Sequence, residues 1–270
     1  MERTVSVLVV IGLLYSLPPE AVVAQAPAPV TIRLAATAER VPSDFSGLSF
    51  ETGSLLFSNP NYKRRAYFWD PANTRLAMVL RNLGIKTIRI GGMSVDRGAI
   101  PSRKAIDTFF RFAKAADVRV IYSLRLANGS ARQDAAIARY VWGRYRRYLI
   151  CLAIGNEPEL LHDVDPRITN FASYIAKWNR IAAAVVRAAP GVVLGGPDNC
   201  SGPSDWPWAQ DFAKAEENNR NVRFILCHYE PGGGGRLGPP GSLSTKCCRP
   251  VVGTPGVIPA AAAVSVQWPA

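Results

Sequence analysis

Residues 148–158 read YLICLAIGNEP, an apolar run that breaks at Gly155 and delivers Asn156, Glu157 and Pro158. Alternation of apolar and polar residues would mark a half-exposed strand. A continuous run of this length marks a strand buried on both faces, as in parallel sheets covered by helices. Five further runs share the pattern: FSGLSFE (45–51), IKTIRIGG (85–92), VRVIYSLRLA (118–127), VVLGGPD (192–198) and VRFILCHYE (222–230). Helical patterns lie between them. PANTRLAMVLRNLG places Leu76, Val79, Leu80 and Leu83 at 3,4 spacing, with Gly84 as its stop, and AIDTFFRFAKAAD and FASYIAKWNRIAAAVVRAAPG behave likewise.

Six strand–helix units predict an α/β fold with a parallel sheet, either doubly wound or a (β/α)8 TIM-type barrel. No GxGxxG opens the first helix, which weighs against a dinucleotide fold. Polar residues gather where the runs end: Glu51, Gly91 and Gly92, Asn128, Asn156 and Glu157, Asp198, and His228 with Tyr229. Those ends form the active-site face of a barrel, and the barrel is the favoured reading, incomplete at about six of eight units.

The flanks read differently. Residues 5–15, VSVLVVIGLLY, are too short to span a bilayer but suit a signal peptide over 1–24, with Val22 and Ala24 as the small-residue cleavage pattern. The expectation is a secreted protein with no membrane attachment after cleavage. VTIRLAATAERVP (30–42) alternates, as an edge strand of an accessory β-sheet does, so 25–42 is read as linker plus accessory strand. The partial barrel then covers 43–231, and 232–270 is an irregular Gly/Pro-rich tail, with the four glycines 232–235 lacking any phosphate-loop context.

The formal charge of +12 fits acidic partners such as uronic-acid glycans, or simply a soluble basic surface. No RRM, zinc-finger or helix-turn-helix pattern points to nucleic acid. The basic stretch RYVWGRYRRY (139–148), with Arg139, Arg146 and Arg147, reads as a solvated helix face. Five cysteines and two histidines show no metal-ligand spacing, and Cys151 and Cys227, inside strand runs, read as buried thiols. Two tripeptides, NGS (128–130) and NCS (199–201), fit the glycosylation sequon. Trp206 and Trp208 suit either sugar stacking or packing over the barrel end, and His228 reads more readily as structural than catalytic.

Glu157 is the candidate for carrying chemistry. Glycoside cleavage needs a proton donor for the leaving oxygen and a carboxylate on the opposite face of the sugar. Glu157 at a strand end suits the donor, and the Asn156 amide can hydrogen-bond a sugar hydroxyl. The competing reading makes Asn156 a helix cap, with Glu157 and Glu159 favouring the dipole. From the tetrapeptide alone the two stand level.

GLSFE, IRIGG and AIGNEPEL, in this order and followed by HY after the sixth strand, resemble glycoside hydrolase family 79. That family holds β-glucuronidases and heparanase-like enzymes, and the likeness runs over residues 31–229. GNEP alone is shared across the wider clan; the set together is the more specific signature. The resemblance implies a retaining hydrolase on a (β/α)8 barrel, needing no cofactor, acting on a uronic-acid glycan or glucuronide. It implies Glu157 as acid/base and Asn156 as sugar-hydroxyl partner. Glu51 would bind substrate hydroxyls, Gly91 and Gly92 would let the backbone approach the sugar, and Tyr229 would line the site. It also implies that the strand over 30–42 joins a β-sandwich. The family nucleophile ends the seventh strand, and no residue here matches it, Glu230 included. The alternative expectation is therefore a catalytically incomplete chain, at most a carbohydrate-binding remnant.

Overall fold

A computed structural model describes residues 43–57, 66–200 and 206–228. The proposed signal peptide, the strand over 30–42, Tyr229, Glu230 and the tail lie outside the described residues. Six strands form one sheet: β1 (Gly47–Glu51), β2 (Thr87–Gly91), β3 (Arg119–Leu124), β4 (Leu149–Ile154), β5 (Leu194–Asn199) and β6 (Val222–Cys227). Each pairs in parallel with the next, in the order β1-β2-β3-β4-β5-β6. A doubly wound sheet reverses direction at a switch point, whereas this one never does. With crossovers of one hand, a monotonic order keeps the helices on one face and curls the sheet toward a barrel. The described chain is an incomplete (β/α) barrel.

The helices are α1 (Thr74–Asn82), α2 (Ser94–Arg97), α3 (Arg103–Ala116), α4 (Ala131–Tyr145), α5 (Phe171–Ala188) and α6 (Trp206–Ala215). Four start on side-chain caps that the sequence supplies locally. Asn73, Ser102 and Ser130 accept from the amides of Leu76, Ala105 and Gln133, and Asn170 forms a reciprocal capping box with Ser173. Gly84 ends α1's turn at φ +68.

Strand side chains divide between two interiors. Ile88, Ile90, Val120, Tyr122, Leu124, Leu152, Ile154 and Leu194 pack outward against the helices in one large core with Phe109, Phe112, Trp178 and Phe212. The inward apolar cluster is small: Ile121, Cys151, Ala153 and Leu226. The other inward positions are polar or small. Ser49, Arg89, Ile121 and Cys151 share one level across the strands. Above them, toward the strand ends, come Glu51, Gly91, Ser123, Ala153 and Gly195.

Two expectations change. Helix α1 buries Ala77 and Leu80, while Val79 is 48% and Leu83 63% exposed, because its main helix neighbour is α3 and only a narrow stripe is covered. Cys227 is half-buried rather than buried, whereas Cys151 is enclosed by both sheet neighbours and the inner cluster. The arginines Arg139, Arg146 and Arg147 are exposed, as a solvated face requires. Trp208 packs edge-on against Phe171 at 5.5 Å and beside Tyr174 at 5.2 Å, so its ring serves the α5–α6 contact. In the sequons, Asn128 donates its amide to the Val164 carbonyl and Asn199 is 3% exposed.

Candidate active site

The strand ends bring together five side chains that the sequence scatters over 140 residues. Arg89 starts the arrangement from β2. A charge inside an apolar strand is tolerable only when fully paired, and Arg89, 4% exposed, makes four hydrogen bonds to three residues. Its Nη1 donates to Ser49 Oγ at 2.9 Å, its Nη2 to Asn156 Oδ1 at 2.6 Å, and its Nε to Asp198 Oδ2 at 3.2 Å. Nη2 also donates to Asp198 Oδ2, closing an ion pair across the barrel from β2 to β5.

Gly91 makes this possible. A Cβ there would lie 2.7 Å from the Arg89 guanidinium carbon and 2.8 Å from Ser123 Oγ. Gly92, at φ +68, is pressed against Glu51, whose carboxyl carbon would be 2.4 Å from a Cβ. Both glycines therefore make room for the protein's own side chains. Glu51 Oε2 accepts from the Ser94 amide at 2.8 Å and its hydroxyl at 2.6 Å, and Oε1 from the Met93 amide at 3.2 Å. It sits at the strand ends, holding the loop after β2, and is exposed.

Asn156 and Glu157 follow β4. The helix-cap reading fails on geometry: the short 3-10 turn Pro158–Leu160 has no side-chain cap bond. Asn156, 2% exposed, instead accepts from Arg89 and donates to Glu157 Oε2 at 3.2 Å. Glu157 itself occupies the left-handed region, φ 46 and ψ 60. A non-glycine residue holds that conformation only where its surroundings over-determine it, and such residues cluster at functional sites. Here the Glu157 amide donates to the Asp198 carbonyl at 2.8 Å, and Pro158 fixes the next turn.

His228, just past β6, completes the group. Its Nδ1 lies 2.9 Å from Glu157 Oε1 and its Nε2 3.2 Å from Asp198 Oδ1. Burial alone would lower the imidazole pKa. Bonding to Asp198 and Glu157, with the Asp198 charge, outweighs it and raises His228 from 6.5 to about 9. It is an imidazolium at neutral pH, so Nδ1–H donates to Glu157. Burial likewise pushes Asp198 up, but the Arg89 charge and the His228 contact prevail and hold it at about 2. Asp198 is thus an ionised, saturated counter-ion. Only Glu157, whose side chain keeps 15% exposure, presents a carboxyl to solvent from this group.

Of the sequence-predicted residues, Asn156 and Glu157 meet in this cluster. Glu51, Gly91 and Gly92 border it, with Gly91 against Arg89, and Tyr229 lies outside the described residues. Sequence reading missed Arg89 and underrated His228. The signal for Arg89 was present: an arginine inside the buried run IKTIRIGG demands a buried counter-charge. Among the described residues no group of three or more His, Cys, Asp or Glu side chains is arranged to hold a metal ion.

No protein-family model matches the chain, and no curated protein matches it by sequence. Solved structures do match by fold. The monomeric β-xylosidase from Caulobacter crescentus CB15 aligns at a TM-score of 0.50 and 15% identity, covering 72% of this chain and 43% of that one. The family 51 α-L-arabinofuranosidase AbfB from Bifidobacterium longum aligns at 0.47 and 18%, covering 72% and 45%. The GH39 enzyme from Xanthomonas axonopodis pv. citri aligns at 0.45 and 18%, covering 72% and 42%. This chain therefore spans under half the length of these three structures, and at 15% identity the likeness to the Caulobacter protein concerns the fold, a TIM-type barrel of which the described strands are a part.

Proposed function

We propose that the chain carries the proton-transfer side of a retaining glycoside hydrolase of the β-glucuronidase type, with Glu157 as acid/base. One observation carries the reading. Glu157 is gripped through both oxygens, Oε1 by His228 and Oε2 by Asn156, at the end of a barrel strand and in a strained backbone conformation. A group that takes a proton from water needs such fixed aim, and both oxygens here accept, as a carboxylate does; to protonate a leaving oxygen, one of them must first carry a proton in place of an accepted bond. The uronic-acid substrate class is supported by the resemblance of GLSFE, IRIGG and AIGNEPEL to family 79 and by the formal charge of +12.

The mechanism needs a second carboxylate about 5–5.5 Å away. Asp198 is consumed by Arg89 and His228, and Glu51 by Met93 and Ser94. On this reading the nucleophile comes from outside the described residues. The engagement of both carboxylates also favours a second reading, a carbohydrate-binding chain without turnover.

Glu157→Gln tests the first. Its turnover should fall roughly 100-fold or more on alkyl glucuronides, whose leaving oxygen needs a proton, and far less on nitrophenyl glucuronides. Equal loss on both would remove Glu157 from the role. A wild-type chain that binds glucuronides by calorimetry but turns over neither class would establish the binding reading instead.

A further inference from the structure

Asp96, in the short helix α2, lies outside the cluster described above and touches the backbone of two neighbouring strand ends at once. It is 2% exposed. Its Oδ1 accepts from the amides of Leu126 at 2.8 Å and Ala127 at 2.7 Å, just after β3, and its Oδ2 accepts from the Asn156 amide at 3.1 Å, just after β4. The attachment is returned from the other side. Arg125 Nε donates to the Val95 carbonyl at 2.8 Å and its Nη2 to the Gly98 carbonyl, so the peptide segments flanking Asp96 are tied to the loop after β3. Arg97 extends the same linkage, pairing with Asp163 and donating to the Leu160 carbonyl at 3.2 Å beyond the Glu157 turn.

We propose that Asp96 is a positioning residue: its carboxylate locks the Asn156–Glu157 turn onto the loop after β3 and thereby sets where the Glu157 carboxyl sits. Three charge-assisted amide bonds on one buried carboxylate make a stiff clamp. Among the described residues no side chain of α2 or β3 bonds the Glu157 carboxyl; the loop after β2 reaches the turn through the Asn156 amide and through Met93 Sδ, 3.9 Å from Asn156 Nδ2, and β3 through the Leu124 carbonyl, which accepts from the Gly155 amide at 2.8 Å. The catalytic consequence rests on the acid/base reading of Glu157; the geometric one does not.

The chain offers a clean reporter, because it has two histidines and only His228 meets Glu157. Asp96→Asn keeps the size of the side chain but turns one acceptor into a donor. The amide can serve the loop after β3 or Asn156, not both. The turn should loosen, Glu157 should leave His228, and the ring titration of His228 followed by NMR should move down from about 9 toward 6.5. Asp134 is a buried carboxylate on α4 that feels the Asp96 charge without bonding Asn156. Asp134→Asn should leave the His228 titration in place, which separates position from charge. On alkyl glucuronides Asp96→Asn should lower kcat roughly 10- to 100-fold with a smaller change in KM.

An unchanged His228 titration in Asp96→Asn, or an equal shift in Asp134→Asn, would overturn the proposal. Should Asp96→Asn not fold, Asp96→Glu keeps the charge, displaces the acceptor by one methylene and is read the same way. Absence of turnover in the wild type would remove the acid/base reading and leave the titration to decide on the clamp.

Discussion

Taking His228 from charged to neutral should cost the fold about 3 kcal/mol between pH 6.5 and pH 9.5. The imidazole is raised from 6.5 to about 9 in the folded chain by Asp198 and Glu157. Below pH 6.5 it is protonated folded and unfolded alike, and its contribution is fully present. Above 6.5 the unfolded chain loses the proton first, so the folded state binds more protons and stability falls with pH. The slope approaches 1.36 kcal/mol per pH unit, and the loss is complete once pH has passed the folded value. A separation of about 2.5 pH units at that slope gives the 3 kcal/mol. The Asp198 contact is the same interaction seen from its other end and adds nothing further. Urea unfolding at pH 6.5, 8 and 9.5 measures it, with His228→Gln as the reference that subtracts tyrosine, cysteine and lysine titration. A wild-type decline no steeper than that of His228→Gln would refute the reasoning.

Arg89→Met should destabilise the chain by about 3–5 kcal/mol, because it strands the buried Asp198 carboxylate with only His228 as partner; a urea midpoint near wild type would contradict the pairing. Gly92→Ala should lose about 1–3 kcal/mol, since it adds a Cβ at φ +68 into the Glu51 carboxyl. Gly84→Ala shares φ +68 but meets nothing within 4 Å, so its loss should be the smaller of the two, and melting temperatures give the order.

The unit sequence of the fold was legible because its causes are local. Continuous apolar runs make buried parallel strands, and Asn73, Ser102, Ser130 and Asn170 favour a helix start by accepting from an amide three residues on. Glu157 was legible too, since its placement follows from the end of its own strand. The 3,4 spacing did less well where burial depends on neighbours: the α1 stripe was drawn through Val79 and Leu83, which face solvent.

What the sequence could not supply is which strand ends face each other. Arg89 meets Asp198 across 109 positions and His228 meets Glu157 across 71. These partners are chosen by sheet order, register and the missing Cβ of Gly91. Glycines 91 and 92 were visible as glycines, but only packing reveals that Arg89 and Glu51 occupy the space they leave. Sequence by itself determined the strands, the helices between them and the place of Glu157 at a strand end, because those are set within a turn or two of chain. Tertiary structure alone decided that Asn156 faces Arg89 instead of capping a helix, that His228 is charged, and that Asp96 holds the turn. Each of those rests on atoms brought within hydrogen-bonding distance by the order and curl of the sheet.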